Sequence, residues 1–201
     1  RYAYFNQPGI AKWNLARLAE SLIPLIDNDK DKAIEIATET INSFAELYKK
    51  NWFEMMRKKL GLLGEDLKDE GLIIDLLTWM HQNKADYTNT FCYLMNEKIK
   101  EDKIYSNQGF ISWKQQWQER LKLHNNSPEK SLKLMRSANP LVIPRNHKVE
   151  EALEAANNDD LNPMKNLLKV LEKPYKNQER ISEYQSPAPA SDKKYQTFCG
   201  T

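Results

Sequence analysis

The residues of this 201-residue chain best equipped for chemistry are few: two cysteines, three histidines and one compact polar triplet. Cys199 lies in the closing "TFCGT", at the end of a polar stretch. An exposed thiol there can be oxidised or can exchange with another thiol, although composition alone favours an incidental residue in a reducing compartment. Cys92 keeps company with Phe91, Leu94 and Met95 in "ADYTNTFCYLMNEKI", a setting in which cysteine behaves as a small buried hydrophobe. Two cysteines with no CxxC and no Cys/His spacing make neither a disulfide framework nor a zinc site, and no metal site is expected. His81, His124 and His147 lie far apart and share no ligand pattern, so each reads as a surface or capping residue. Arg145, Asn146 and His147 follow a proline in "ANPLVIPRNH", where they can offer donors to an anion or fix the loop. Loop fixation is favoured, because Asn146 is placed to cap a helix starting near His147.

Motifs that would announce catalysis are missing. The sequence contains no GxGxxG, no GxxxxGK[ST], no HRD or DFG, no GxSxG and no HExxH. The acidic stretch "GLLGEDLKDEG" lacks the alternating oxygen ligands and twelfth-position glutamate of a calcium loop. With 30 basic and 28 acidic residues the net charge is +2, which gives no global field for nucleic acid. The basic runs Lys49-Lys50 and Arg57-Lys58-Lys59 read as solvated helix faces. No run approaches the roughly 18 apolar residues of a membrane span, and a cytoplasmic protein is expected.

The elements that must position these residues are helices. Six glycines, few β-branched residues and abundant Leu, Lys, Glu and Ala favour them. "PGIAKWNLARLAESLIPLI" predicts a first helix of about four turns, started by Pro8 and limited by Pro24. From about Asp31 to Leu60 no glycine or proline interrupts a stripe of Ile34, Ala37, Ile41, Phe44, Leu47 or Tyr48, Trp52, Met55 and Met56, which predicts one long helix with that stripe in the core. "LIIDLLTWMHQ" and "ADYTNTFCYLMNEKI" supply two more, and "FISWKQQWQERLKLH" places Phe110, Trp113, Trp117 and Leu121 on one face. Ser127 and Pro128 open a short helix. "LVIPRNH", caught between prolines, is too short for a helix and reads as an extended loop or a token strand, and two helices follow, the second begun by Pro163 and ended before Pro174. Seven to eight helices in an all-α domain over residues 1–173 result, followed by an irregular, aromatic-bearing tail over 174–201. The opening "RYAYFNQPG" is unusually aromatic for a free terminus, and a piece of a longer polypeptide is expected, with apolar faces left uncovered.

Four blocks, "RYAYFNQPGIAKWNLARLAESL", "ADYTNTF", "MRSANPLVIPRNHKVEEALEAA" and "YQTFCGT", resemble in type and order the C-terminal portion of the selenoprotein O family of pseudokinase protein adenylyltransferases. The resemblance covers essentially the whole chain. It implies a kinase-like parent that binds ATP and a divalent metal such as magnesium and transfers AMP to Ser, Thr or Tyr hydroxyls of proteins. The family's nucleotide-binding, metal-binding and base residues all precede the block matching Arg1 to Pro8. This chain is therefore expected to hold no catalytic, cofactor or metal residues, and to be the helical part after the activation segment, with the preceding kinase-like part as its partner. The resemblance also implies redox chemistry at Cys199, which holds the position of the family's selenocysteine, with a partner cysteine outside this chain. The alternative reading is a stand-alone helical protein-interaction module, distinguished by what the coding frame upstream of Arg1 encodes.

Overall fold

The computed structural model describes residues 6–95, 103–124 and 126–188, so Cys199 lies outside the described residues. These residues form nine α-helices and one 3-10 turn, with no strand among them: α1 Gln7–Ile26, α2 Lys30–Lys59, α3 Asp69–Asn83, α4 Tyr87–Leu94, the turn Lys103–Ser106, α5 Gln108–Leu121, α6 Pro128–Ala138, α7 Asn146–Asn157, α8 Asn162–Leu171 and α9 Ser182–Gln185. The all-helical expectation is met. The chain divides into two compact units, Arg1–Met55 and Met56–Thr201, with the division falling inside α2.

In the first unit, α1 starts as expected with proline in its first turn, but it runs through Pro24 to Ile26. Proline costs most in a helix interior; two residues from the end it removes one bond and leaves the last turn in place. Not one residue of α1 is buried. The stripe on α2 departs further from expectation: Ile34, Leu47, Tyr48 and Met55 are exposed, and Ala33 is the one buried apolar residue described in this unit. Periodicity makes an apolar face, but burial needs something to lie against it.

The second unit has the core. α2 ends in a Schellman turn, in which Gly61 N–H donates to Lys58 O (3.1 Å) and Leu62 N–H to Arg57 O (2.9 Å). Gly61 takes the left-handed φ of 69°, and a Cβ there would meet Met135 Cγ at 2.9 Å, so only glycine fits. α3 and α5 pack together around Trp79, Tyr105, Phe110, Trp113 and Trp117, all buried. The rings touch edge-on and offset, with Trp79 and Phe110 centroids 4.6 Å apart and Tyr93 stacked on Tyr105 at 4.0 Å. Each buried indole finds an acceptor: Trp113 Nε1 donates to Leu72 O and Trp117 Nε1 to Leu60 O, both at 2.8 Å. Arg120, rather than Leu121, completes the buried face of α5.

Ser127 caps α6 as expected, accepting from Lys130 N at 3.2 Å. Residues 139–145 join α6 to α7 without helix or strand, and Leu141 and Val142 are buried. α7 and α8 form a packed helical hairpin. The stretch after Pro174, read as a tail, contributes to the interior over its described part. Ile181 and Gln185 are buried, Leu141 N–H donates to Pro174 O (2.7 Å), and Gln185 Nε2 donates to Leu141 O (3.0 Å). No period marks such a segment, because side-chain to backbone bonds hold it rather than a repeating apolar face.

Candidate functional site

Asp86 begins the site. Its extended backbone and short carboxylate make it the N-cap of α4, accepting from Asn89 N–H at 2.8 Å. Arg145, on the residue before α7, reaches the same carboxylate with both ends of its fork: Nη2 donates to Oδ1 at 2.9 Å while Nη1 donates to Oδ2. Nη2 also donates to Gln185 O (2.9 Å) and Asn89 Oδ1 (3.3 Å), and Asn89 Nδ2 donates to Gln185 O (3.3 Å). The arginine thus ties three separated segments together: the start of α4, the extended chain after Pro144 and the end of α9.

The Arg145-Asn146-His147 triplet therefore does fix a loop, through a different residue than the one expected. Arg145, not Asn146, occupies the N-cap position, no side chain caps α7, and Asn146 is its first helical residue. His147 is half-buried, and burial, together with the cations Lys148 and Arg145, holds its imidazole below the ordinary value against the opposing pull of Glu151. His81 and His124 are exposed and apart from this cluster.

A second polar group adjoins α4. Lys59, read from sequence as part of a solvated basic run, is buried at 7% exposure. Its Nζ lies 4.5 Å from the Phe91 ring centroid and 5.3 Å from that of Tyr87, and donates to Ala138 O at 3.3 Å. Among the described residues no carboxylate pairs with it. Burial pushes the ammonium down to about 8, opposed by the nearby Cys92 sulfur. Asn139, 1% exposed, closes the region by donating from Nδ2 to Lys59 O (2.8 Å) and Met135 O (2.9 Å). Cys92 is fully buried beside Pro140 O, at 3.8 Å, as its apolar context predicted.

The third group is the ion pair Arg120–Asp69. Nε donates to Oδ1 at 2.6 Å and Nη2 to Oδ2 at 3.1 Å, with both side chains at most 5% exposed. Most of these groups are used within the chain, while Arg145 Nε and Asn139 Oδ1 are buried without a hydrogen-bond partner. The forks of both arginines go to protein carboxylates and carbonyls, and among the described residues no cluster of three His, Cys, Asp or Glu is placed to hold a metal.

Sequence reasoning missed Asn89, Gln185, Lys59, Asp69 and Arg120 as interior residues and Asp86 as a half-buried one. Spacing carried a signal for two: Lys59 follows Met56 by three, and Arg120 follows Trp117 by three and Trp113 by seven, each on an apolar face. The convergence itself joins the blocks "ADYTNTF" and "MRSANPLVIPRNHKVEEALEAA" through Asp86 and Arg145.

Comparison with known proteins decides what this arrangement belongs to. The family model for protein adenylyltransferase SelO matches residues 1–172. The chain belongs to the SelO family. It is similar to the protein nucleotidyltransferase YdiU of Pelagibacter ubique, 55% identical over 201 residues that cover 100% of this chain and 42% of that protein. The proteins of the same name from Nitrosococcus oceani and Clostridium botulinum are 49% and 48% identical, again over the full chain and 41% of their own length. This SelO-family chain therefore spans about two fifths of the relatives it matches.

Proposed function

We propose that this chain is the C-terminal helical part of a protein adenylyltransferase, which as a whole transfers AMP from ATP to Ser, Thr or Tyr hydroxyls of proteins in the cytoplasm, with magnesium. The observation that carries this reading is the 55% identity across every residue of the chain to a named nucleotidyltransferase more than twice its length. The part at hand is a scaffold, and its partner is the kinase-like remainder of the same polypeptide. Two features support that role. The buried arginines are spent on internal ties, and the apolar faces of α1 and α2 stand open, with Trp13, Leu18, Leu22 and Leu25 exposed. Cys199 is proposed as a redox-sensitive thiol whose partner lies outside this chain; disulfide formation would require Cα atoms about 4.4 to 6.8 Å apart.

The test is labelling of a substrate protein with isotopic ATP and magnesium, by the full-length protein and by this chain alone. Label is expected from the former only. Transfer by the chain alone would overturn the scaffold reading, and its absence from the full-length protein would overturn the adenylyltransferase reading. Thiol labelling of Cys199 in the full-length protein with and without reductant tests the tail, and equal labelling in both would remove the disulfide.

A further inference from the structure

The loop between α2 and α3 is tied down from within. Arg120 Nη1 and Nη2 donate to Leu63 O at 3.2 Å, and Nη2 also donates to Gly64 O at 3.2 Å. Asp69, held by the same arginine, accepts from Asp66 N–H (3.0 Å), and Asp66 in turn accepts from Lys68 N–H (2.9 Å). Between these anchors Leu67 is 102% exposed. A leucine displayed on a rigid loop is a prepaid anchor, since little conformational freedom is left to lose on contact.

Beside it lies a groove of about 620 Å³ whose lining includes Asp66, Leu67, Gly71, Asp75, Glu119 and Leu123. Gly71 is a poor helix former placed inside α3, and a Cβ added there would meet no atom within 4 Å. Packing within this chain does not call for glycine; its effect is to deepen the groove. Charge narrows the occupant. Residues 64–75 hold the acids Glu65, Asp66, Asp69, Glu70 and Asp75 against one base, Lys68, on a chain whose net charge is +2. Arg57 and Arg120 neutralise Glu65 and Asp69, and Lys122 pairs with Glu119, which leaves Asp66 and Asp75 against one lysine, Lys68, on the groove, a net acidic excess of one. An apolar centre with a charged rim is the composition of a reversible protein interface, whereas the broad apolar faces of the first unit suit permanent cover.

We infer that this groove docks a separate protein through a short basic segment carrying an aliphatic side chain. Leu67 and Leu123 take the aliphatic group, and Asp66 and Asp75 take the lysine or arginine. This is independent of the transferase reading.

The probe is a fluorescein-labelled twelve-residue peptide repeating Lys-Leu-Lys-Lys, titrated with the full-length protein and followed by anisotropy. Micromolar binding is expected, about tenfold weaker when glutamate replaces lysine or serine replaces leucine. Gly71→Leu, which fills the groove while favouring the helix, and the surface changes Leu67→Ser and Asp75→Lys are each expected to weaken binding about tenfold without lowering the melting midpoint. No binding, equal binding of the glutamate peptide, or wild-type binding by all three variants overturns the proposal. Maleimide labelling of Leu67→Cys in the full-length protein separates the other occupants. Protection would show the groove covered by the protein's own remainder, and a dimer dissociated by Leu67→Ser would show a second copy; either overturns it, while free labelling of a monomer supports it.

Discussion

Residues 6–55 and residues 56–188 are made of the same helical material and treat it in opposite ways. In the first unit none of the twenty residues of α1 is fully buried, although Ile10, Ala16, Ala19 and Ile23 are half-buried, and elsewhere in the unit only Ala33 is buried among apolar side chains. In the second, Met56, Leu60, Ile73, Leu76, Phe91 and Phe110 have no or almost no exposure. Helix propensity is similar in both, so amphipathicity alone does not make a core. The difference lies in the supply of opposing faces. The second unit folds α3, α4 and α5 around one aromatic cluster and then pins its polar interior with Arg120 and Arg145. The first presents helices whose apolar side chains Trp13, Leu18 and Leu25 stay exposed; under the function proposed above, their cover lies in the remainder of the protein.

The sharpest way to break the contrast is to remove the second unit's internal ties. Asp69→Ala would leave Arg120 buried without its carboxylate and free the loop it holds. A loss of about 3–5 kcal/mol in urea unfolding is expected. A loss below about 1 kcal/mol would mean that the core owes little to this pair and that apolar packing alone separates the units.

Lys59 offers a second handle, with a pH sign. Its folded value of about 8 lies below the ordinary 10.5, so between those values the unfolded chain binds more protons than the folded one. Stability from this group therefore rises as pH climbs from 8 towards 10.5, and below 8 the buried charge is a standing cost. Lys59→Met is expected to raise the urea midpoint at pH 7 and to flatten the rise above pH 8. A midpoint lowered at pH 7 would instead show that the ring faces of Tyr87 and Phe91 more than compensate the ammonium.

A smaller effect probes the caps. Ser127→Ala removes the acceptor for Lys130 N–H and is expected to cost about 1 kcal/mol, measured by the same unfolding. That cap was legible from sequence, as were the helices, the aromatic stripe of α5 and the burial of Cys92, because each is written locally in residue type and spacing. What was not legible depends on distant partners. Nothing near Lys59 announces that Phe91 and Ala138 will enclose it, and nothing near Arg145 names Asp86 or Gln185 as its acceptors. Asn146 was preferred over Arg145 for the loop because capping rules weigh short polar side chains at a helix start. An arginine instead acts through a carboxylate 59 residues away. The α2 stripe failed for the complementary reason, since period reveals a face and never its cover.

The smallest expected effect sharpens the comparison most. Leu25 is 82% exposed near the end of α1, and Leu25→Ser in this chain should change unfolding by no more than about 0.5 kcal/mol, as for surface positions generally. In the full-length protein the same change should cost several times more, because covering the α1 face would turn an exposed leucine into a buried one, worth about 2–5 kcal/mol on truncation. Equal, near-silent effects in both would mean that the first unit's apolar surface stays open in the whole protein. The contrast between the units would then be intrinsic to the fold, and not the imprint of an absent neighbour.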